Sequence, residues 1–252
     1  MSPDTPSPSP TDAPPGAFAT TCWTTVLRAV NESGTIAEEP LTQLYNRYQR
    51  PLYAYLRRRG LPAHDAEDAI HSFFHQVIDR RSLANVDRQA GRFRNYMLTA
   101  LNNFLAKEHR KAVAQKRGGG ATHVEWTPLT VEQKQRWEPN PALSAEANFD
   151  RAWASAVMMA AMDQVVASME SSGATENEIA VLKQFLPGAR QTIEYAEAAA
   201  QLDIPVGTLK ARAHRAKRRL KEALRREVAE TVDSESEVES ELKHLIDVLS
   251  AS

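Results

Sequence analysis

Ile193 to Lys221 reads IEYAEAAAQLDIPVGTLKARAHRAKRRLK, and the fold of the second half of the chain turns on this stretch. Ile193 to Gln201 is a short alanine-rich helix, Leu202 to Pro205 a turn, and Val206 opens a long helix. Small side chains at Ala196, Ala199 and Ala200 let two helices approach steeply, and Leu202, Ile204 and Leu209 can fill the junction. This is a helix-turn-helix pattern. The second helix has an apolar side of Leu209, Ala213, Ala216 and Leu220, and it carries Lys210, Arg212, Arg215, Lys217, Arg218, Arg219 and Lys221. Positions 208, 212 and 215 share one side. Such a helix suits the major groove, where Arg reads guanine and Lys meets phosphate. The bland alternative is a solvated basic surface helix. The coincidence of turn and charge favours nucleic acid.

Upstream of that unit, helix starts at Ser144 and carries Phe149, Trp153, Val157, Ala160, Val165 and Met169 as far as Gly173. Thr175 caps a further helix with Ile179, Leu182 and Phe185, closed by Leu186-Pro187-Gly188. Gln115 to Pro141 shows no periodicity and contains Gly118-Gly119-Gly120 and several prolines. A stretch of roughly 25 aperiodic residues exceeds ordinary loop length and reads as a flexible linker.

Before it lie three apolar stripes at helical spacing. The first is Leu41, Leu44, Tyr45, Tyr48, Leu52, Tyr55 and Leu56, interrupted by Pro51. The second is Ala66, Ala69, Ile70, Phe73, Phe74, Val77 and Ile78. The third is Phe93, Tyr96, Met97, Ala100, Leu101, Phe104 and Leu105. Residues 1–18 are rich in Pro, Ser and Thr and read as a disordered tail. A short amphipathic piece, Trp23 to Leu27, starts the folded part. No alternating strand pattern occurs. The expected fold is all-α: two small helical domains, 19–115 and 144–230, joined by a linker over 116–143, the second a helix-turn-helix of winged-helix-like DNA-binding type.

The chain has 252 residues, of which 42% are hydrophobic and 25% charged, a composition that suits a soluble protein. No run approaches the roughly 18 apolar residues of a membrane span. No basic segment followed by an apolar core opens the chain, so no secretory signal is expected. The one cysteine, Cys22, has no disulfide partner within the chain, which fits a reduced cytoplasm. His71 and His75 stand at i and i+4 with Glu67 a turn earlier, but no general base is arranged as in a zinc protease motif. No metal is expected. Neither a phosphate-binding glycine loop nor a nucleophile-and-base constellation is present, so no catalytic residue, cofactor or small-molecule substrate is expected either. The net charge of −1 averages blocks of opposite sign. Lys210 to Arg226 is strongly basic, and Glu230 to Asp247 strongly acidic.

A second basic surface comprises Arg88, Arg92, Arg94, Lys107, Arg110, Lys111, Lys116 and Arg117, with Phe93, Tyr96 and Phe104 interleaved. Basic residues with exposed aromatics can hold unpaired bases by stacking. At helical spacing the commoner fate of such aromatics is the core, which suits Phe104 and leaves Tyr96 open.

These pieces, in this order, resemble the extracytoplasmic-function branch of the sigma-70 family of RNA polymerase sigma factors. Tyr53-Ala54-Tyr55-Leu56-Arg57-Arg58-Arg59-Gly60 through Asp65-Ala66-Glu67-Asp68-Ala69-Ile70-His71-Ser72-Phe73-Phe74 looks like family regions 2.1 and 2.2. Gly91-Arg92-Phe93-Arg94-Asn95-Tyr96-Met97-Leu98 with Asn103, Lys107 and Arg110 looks like regions 2.3 and 2.4. Gly207 to Ala216 looks like the recognition helix of region 4. The resemblance covers about residues 21–230. It implies no enzymatic activity but promoter recognition in transcription initiation, with core RNA polymerase (its largest-subunit clamp coiled coil and its flap) and promoter DNA as partners. It also leaves room for an anti-sigma factor or another regulator.

Residue by residue, the resemblance implies that exposed Asp68, His71 and Ser72 dock on the clamp. The family usually has Gln at the place of His71 and an acid at that of Ser72. The loop Ser82 to Arg92 would capture a flipped base of the −10 element. Arg92, Arg94, Tyr96, Asn103, Lys107 and Arg110 would serve that element, and Thr208, Lys210, Arg212, Arg215 and Arg218 the −35 element.

Glu235 to Ser250, within a C-terminal segment 231–252, reads as an acidic amphipathic helix with Val238, Leu242, Leu245 and Leu249 on one stripe. Either it packs permanently on the second lobe, or it covers the basic recognition helix until polymerase binds. Two rival functions stand beside the sigma reading. A helix-turn-helix regulator would act by occupying an operator, and an adaptor would use its basic helices to bind acidic partners.

Overall fold

The computed structural model describes residues 38–79, 92–114, 130, 132, 134, 137–189, 192–232 and 234–251. The expected tail 1–18, the piece Trp23–Leu27, Cys22, the loop 82–91 with Arg88, and residues 116–129 of the expected linker lie outside the described residues. So do the side chains of Leu41, Val77, Ile78 and Lys111.

Among the described residues the fold is all-helical. In chain order the helices are α1 (Glu38–Arg58), α2 (Ala63–Asp79), α3 (Phe93–Ala114), α4 (Ala145–Ser171), α5 (Glu176–Lys183), α6 (Tyr195–Gln201), α7 (Val206–Ala229) and α8 (Glu235–Ser250). No strand occurs among the described residues, so no wing accompanies the helix-turn-helix there.

Helix α1 runs through Pro51, which is buried. It ends where Gly60 takes a positive φ of 92° and the Leu61 N–H reaches back to the Leu56 carbonyl. That left-handed residue suits glycine and satisfies carbonyls the helix would otherwise leave open. The three expected stripes close one core: Tyr48, Leu52, Leu56, Ile70, Phe73, Phe74, Phe93, Met97 and Leu101 are all at most 2% exposed. Phe104 is buried with them.

The last part of the expected linker is tied down. Trp137 is buried in the first core. The Arg57 guanidinium pairs with Glu138 at 3.2 Å, and Arg58 donates to the carbonyls of Leu143 and Pro141. Asn148, on the first turn of α4, donates to the carbonyls of Asn140, Leu143 and Ser144 and accepts from the Asn140 N–H at 2.7 Å. A buried amide with this many partners fixes the entry of the chain into α4. Ser144 caps that helix through the Ala147 N–H.

Helix α4 spans 27 residues, about 40 Å at 1.5 Å per residue. Its first half buries Phe149, Ala152, Trp153 and Val157 in the first core; its second half buries Ala161, Val165 and Met169 in another. That second core is completed by Ile179, Leu182, Phe185, Ala198, Ala199, Leu209, Ala213, Ala216 and Leu220. Val228, Val232, Val238 and Leu245, from the end of α7, the turn after it and α8, return to the first core. The division into cores therefore does not follow the expected boundary between lobes. Periodicity shows that a helix has an apolar face, but not which partner covers it.

Candidate nucleic-acid interface

The helix-turn-helix is built from α6 and α7. Asp203 between them has φ 52°, and the N–H groups of Asp203 and Ile204 bond to the carbonyls of Ala200 and Ala199. Asp is one of the few residues that enter the left-handed region at modest cost. Leu209, Ala213, Ala216 and Leu220 are buried, as the alternating faces of α7 require.

The opposite side of α7 is open. Lys210, Arg215 and Arg218 are exposed, while Thr208 and Arg212 are half-buried. The Lys210 ammonium lies 5.7 Å from the Tyr195 ring centroid, and Arg218 stands 3.6 Å from Glu222. Arg212 donates to Glu178 of α5 at 2.7 Å. Together with Arg215 and Arg219 it lines a groove that ends at the α4–α5 turn. A guanidinium held by one carboxylate keeps its remaining donors for a second acceptor, so this pair orients Arg212 without using it up.

The first-lobe residues are arranged differently. Arg94 is 5% exposed; its Nε donates to Glu241 of α8 at 2.7 Å and its Nη1 to Asp150 of α4. Its guanidinium also lies over the Trp153 ring, 5.2 Å from the centroid. Arg92 Nε stands 2.8 Å from the other Glu241 oxygen, a close charge contact that falls short of an aligned hydrogen bond. The Glu241 side chain is fully buried. Tyr96 is half-buried beside Phe93, and burial pushes its phenol up to about 12. Asn103 and Arg110 are exposed and Lys107 half-buried; Arg110 donates to its own helix at the Ala106 carbonyl. The neighbouring Asn102, rather than Asn103, joins a network, accepting from Tyr55 at 3.0 Å and from Arg59 at 2.7 Å.

On α2, Asp68 and Ser72 are exposed and share a face. His71 was expected to be exposed with them and is instead half-buried, with Nε2 2.7 Å from the Tyr45 hydroxyl. Burial lowers its pKa, against the opposing pull of Glu67 and Asp68. The α1–α2 packing explains this. Tyr45 is a core residue whose polar end needs a partner, and His71 is within its reach. Among the described residues no three His, Cys, Asp or Glu side chains gather as metal ligands.

Helix α8 occupies the bounds the sequence implies, but it does not cover Thr208, Lys210 or Arg215. It meets α7 near that helix's far end, where Arg225 pairs with Glu235 and Glu239, and it packs along α4. The apolar stripe needs an apolar partner, and the exposed basic face of α7 offers none. A related contact lies nearby: Arg47 of α1 pairs with Glu227 at 2.8 Å and Glu230 at 2.7 Å. Burial pushes the Glu227 carboxyl up, while Arg47 holds it back.

The buried acids Glu241 and Glu227 were missed in the sequence reading. The signal was present. Glu241 stands three residues after Val238 and four before Leu245, inside the apolar stripe, and Glu227 stands four after Ala223 on the buried side of α7. An acid in such a register must meet a cation when the helix docks.

No family model, curated protein or solved structure matches the chain.

Proposed function

We propose that this chain is a sigma factor of the extracytoplasmic-function type, a non-enzymatic subunit that brings RNA polymerase to promoter DNA. The observation that carries the reading is the open basic face of α7, with Lys210, Arg215 and Arg218 exposed on a helix whose other side is sealed by Leu209, Ala213, Ala216 and Leu220. A rigid helix presented this way can enter the major groove without rearrangement. In this reading Thr208, Lys210, Arg212, Arg215 and Arg218 meet the −35 element, and Asp68, Ser72 and the edge of His71 meet the clamp of the polymerase. Helix α3 and the residue before it, with Arg92, Arg94, Tyr96, Asn103, Lys107 and Arg110, serve the melted −10 strand. Capturing flipped bases costs a few kcal/mol, which contacts with polymerase offset, so the free protein binds promoter DNA weakly.

The test is run-off transcription with purified bacterial core polymerase, with and without the protein, on the promoter upstream of its own gene and on a promoter library. A discrete transcript that depends on the protein is expected. No transcript, together with no co-elution with core polymerase, would remove the reading.

A second reading is favoured by one observation. In this arrangement the α7 face is open while Arg92 and Arg94 are engaged internally. A regulator that occupies duplex DNA through α7 alone would need nothing more. Tight salt-dependent binding to one duplex site without polymerase would select it.

A further inference from the structure

We propose that α8 is an internal anionic strap, which occupies the nucleic-acid site at the start of α3 and is displaced when a DNA single strand takes its place. The proposal rests on the reading of Arg92 and Arg94 given above. It differs from a cover over α7, because the charged centre of the strap lies at α3.

The geometry is that of a substituted ligand. The Glu241 carboxylate is fully buried between two guanidiniums, with Arg94 Nε at 2.7 Å and Arg92 Nε at 2.8 Å. The Ser240 hydroxyl lies 3.4 Å from Arg92 as well. The Phe93 N–H, first of α3, donates to the Thr231 carbonyl in the turn that leads into α8. One carboxylate and one carbonyl thus fill positions at a helix N-terminus that a phosphate would suit. Charges here balance as two guanidiniums against Glu241 and Asp150. Removing α8 leaves Arg94 with Asp150 and takes Glu241 away from Arg92. With α8 docked, Glu241 takes the guanidinium positions of Arg94 and Arg92 that a phosphate would use, so a strand and α8 compete for them. Binding of strand and strap is mutually exclusive, and each weakens the other by the same factor.

The hinge and the grip are separate. The apolar side, Val238 and Leu245, holds α8 on the first core. The exposed pairs of Arg225 with Glu235 and Glu239 hold its first turns to α7. Two variants loosen different parts: Glu241→Gln at the centre, and Glu235→Gln with Glu239→Gln at the exposed edge, which leaves every buried residue in place.

Full-length wild type and both variants are to be compared for binding of a fluorescein-labelled single-stranded DNA of mixed sequence. Hydrogen exchange of residues 235–250 is followed with and without that DNA, and with core polymerase. We expect the variants to bind the strand about five- to tenfold more tightly, the range of a modest coupling. Amides of α8 should lose protection when the strand or polymerase is bound. If the Glu241→Gln protein melts too low to assay, the edge variant gives the same reading. Equal affinity of the proteins with α8 still protected, in preparations that support transcription, overturns the strap and leaves the proposed function standing. If no preparation binds polymerase or yields a transcript, the proposed function is overturned, and the strap with it.

Discussion

Two groups of arginines that look alike in the sequence have opposite surroundings in the fold. On α7, Arg215 and Arg218 point to solvent and Arg212 is steadied by a single carboxylate at the edge of α5. At the start of α3, Arg94 is enclosed by Glu241, Asp150 and the Trp153 ring. A cluster of basic residues therefore says nothing about its partner until the acids that can reach it are placed. The α7 group is left open to solvent. Arg92 and Arg94 already have carboxylate partners within the chain.

The sharpest test of that contrast is stability. Arg94→Ala leaves Glu241 buried without its best partner, a loss expected to cost about 3–5 kcal/mol. Arg215→Ala removes an exposed side chain and is expected to stay within about 0.5 kcal/mol of wild type. Urea unfolding of both variants measures the difference. A double variant, Arg94→Met with Glu241→Leu, removes both charges and should recover much of the loss, since apolar replacement of a buried ion pair is often neutral. Similar midpoints for Arg94→Ala and Arg215→Ala would show that the α3 pairing is weak.

The contrast reverses when DNA binding is the readout. Lys210→Ala and Arg215→Ala should each weaken binding of the polymerase-bound protein to duplex −35 DNA by about 1–3 kcal/mol if they read bases, or lower the salt slope by about one if they meet phosphate. Their melting curves should match wild type. Loss of stability together with affinity would mean that the α7 face is structural.

Much of this was legible beforehand. The stripes at Leu44 to Leu56, Ala66 to Phe74 and Phe93 to Leu105 marked α1, α2 and α3, and the Leu202–Pro205 turn marked the junction of α6 and α7, because spacing at 3.6 residues is local information. The bounds of α8 followed from its stripe in the same way. What could not be read was which face meets which. Trp153 and Val165 lie on one helix and belong to different cores. Arg47 finds Glu227 across 180 residues of chain. Charge blocks invite pairing of the nearest opposite block, α8 with α7, yet apolar area sets the docking of α8 and charge follows. Glu241, an acid on an apolar stripe, was the residue that foretold the true contact.

A smaller effect is expected at the turn that aims α7. Asp203 holds a positive φ of 52°. Asp203→Gly removes the steric cost of that conformation and should hold or slightly raise the melting temperature. Asp203→Val places a β-branched side chain there and should cost about 1–2 kcal/mol, with affinity for duplex DNA falling as the angle between α6 and α7 loosens. Equal stability of the two would mean that the turn relaxes without moving α7.

The smallest effect concerns the face of α2 that carries Asp68 and Ser72. Half-burial against Tyr45 lowers the pKa of His71, so the folded protein prefers the neutral ring more than the unfolded chain does. The stabilising contribution is therefore present above the ordinary histidine value and is lost as pH falls through the lowered one. Acidification from about pH 7 to pH 5, the span around histidine's ordinary pKa, should destabilise wild type more than His71→Gln. The glutamine keeps a donor for Tyr45 but has no proton to gain. Unfolding midpoints at each pH measure the difference in slope. An identical slope would mean that the ring is hydrated enough to charge in place, and that His71 stands with Asp68 and Ser72 on the open face after all.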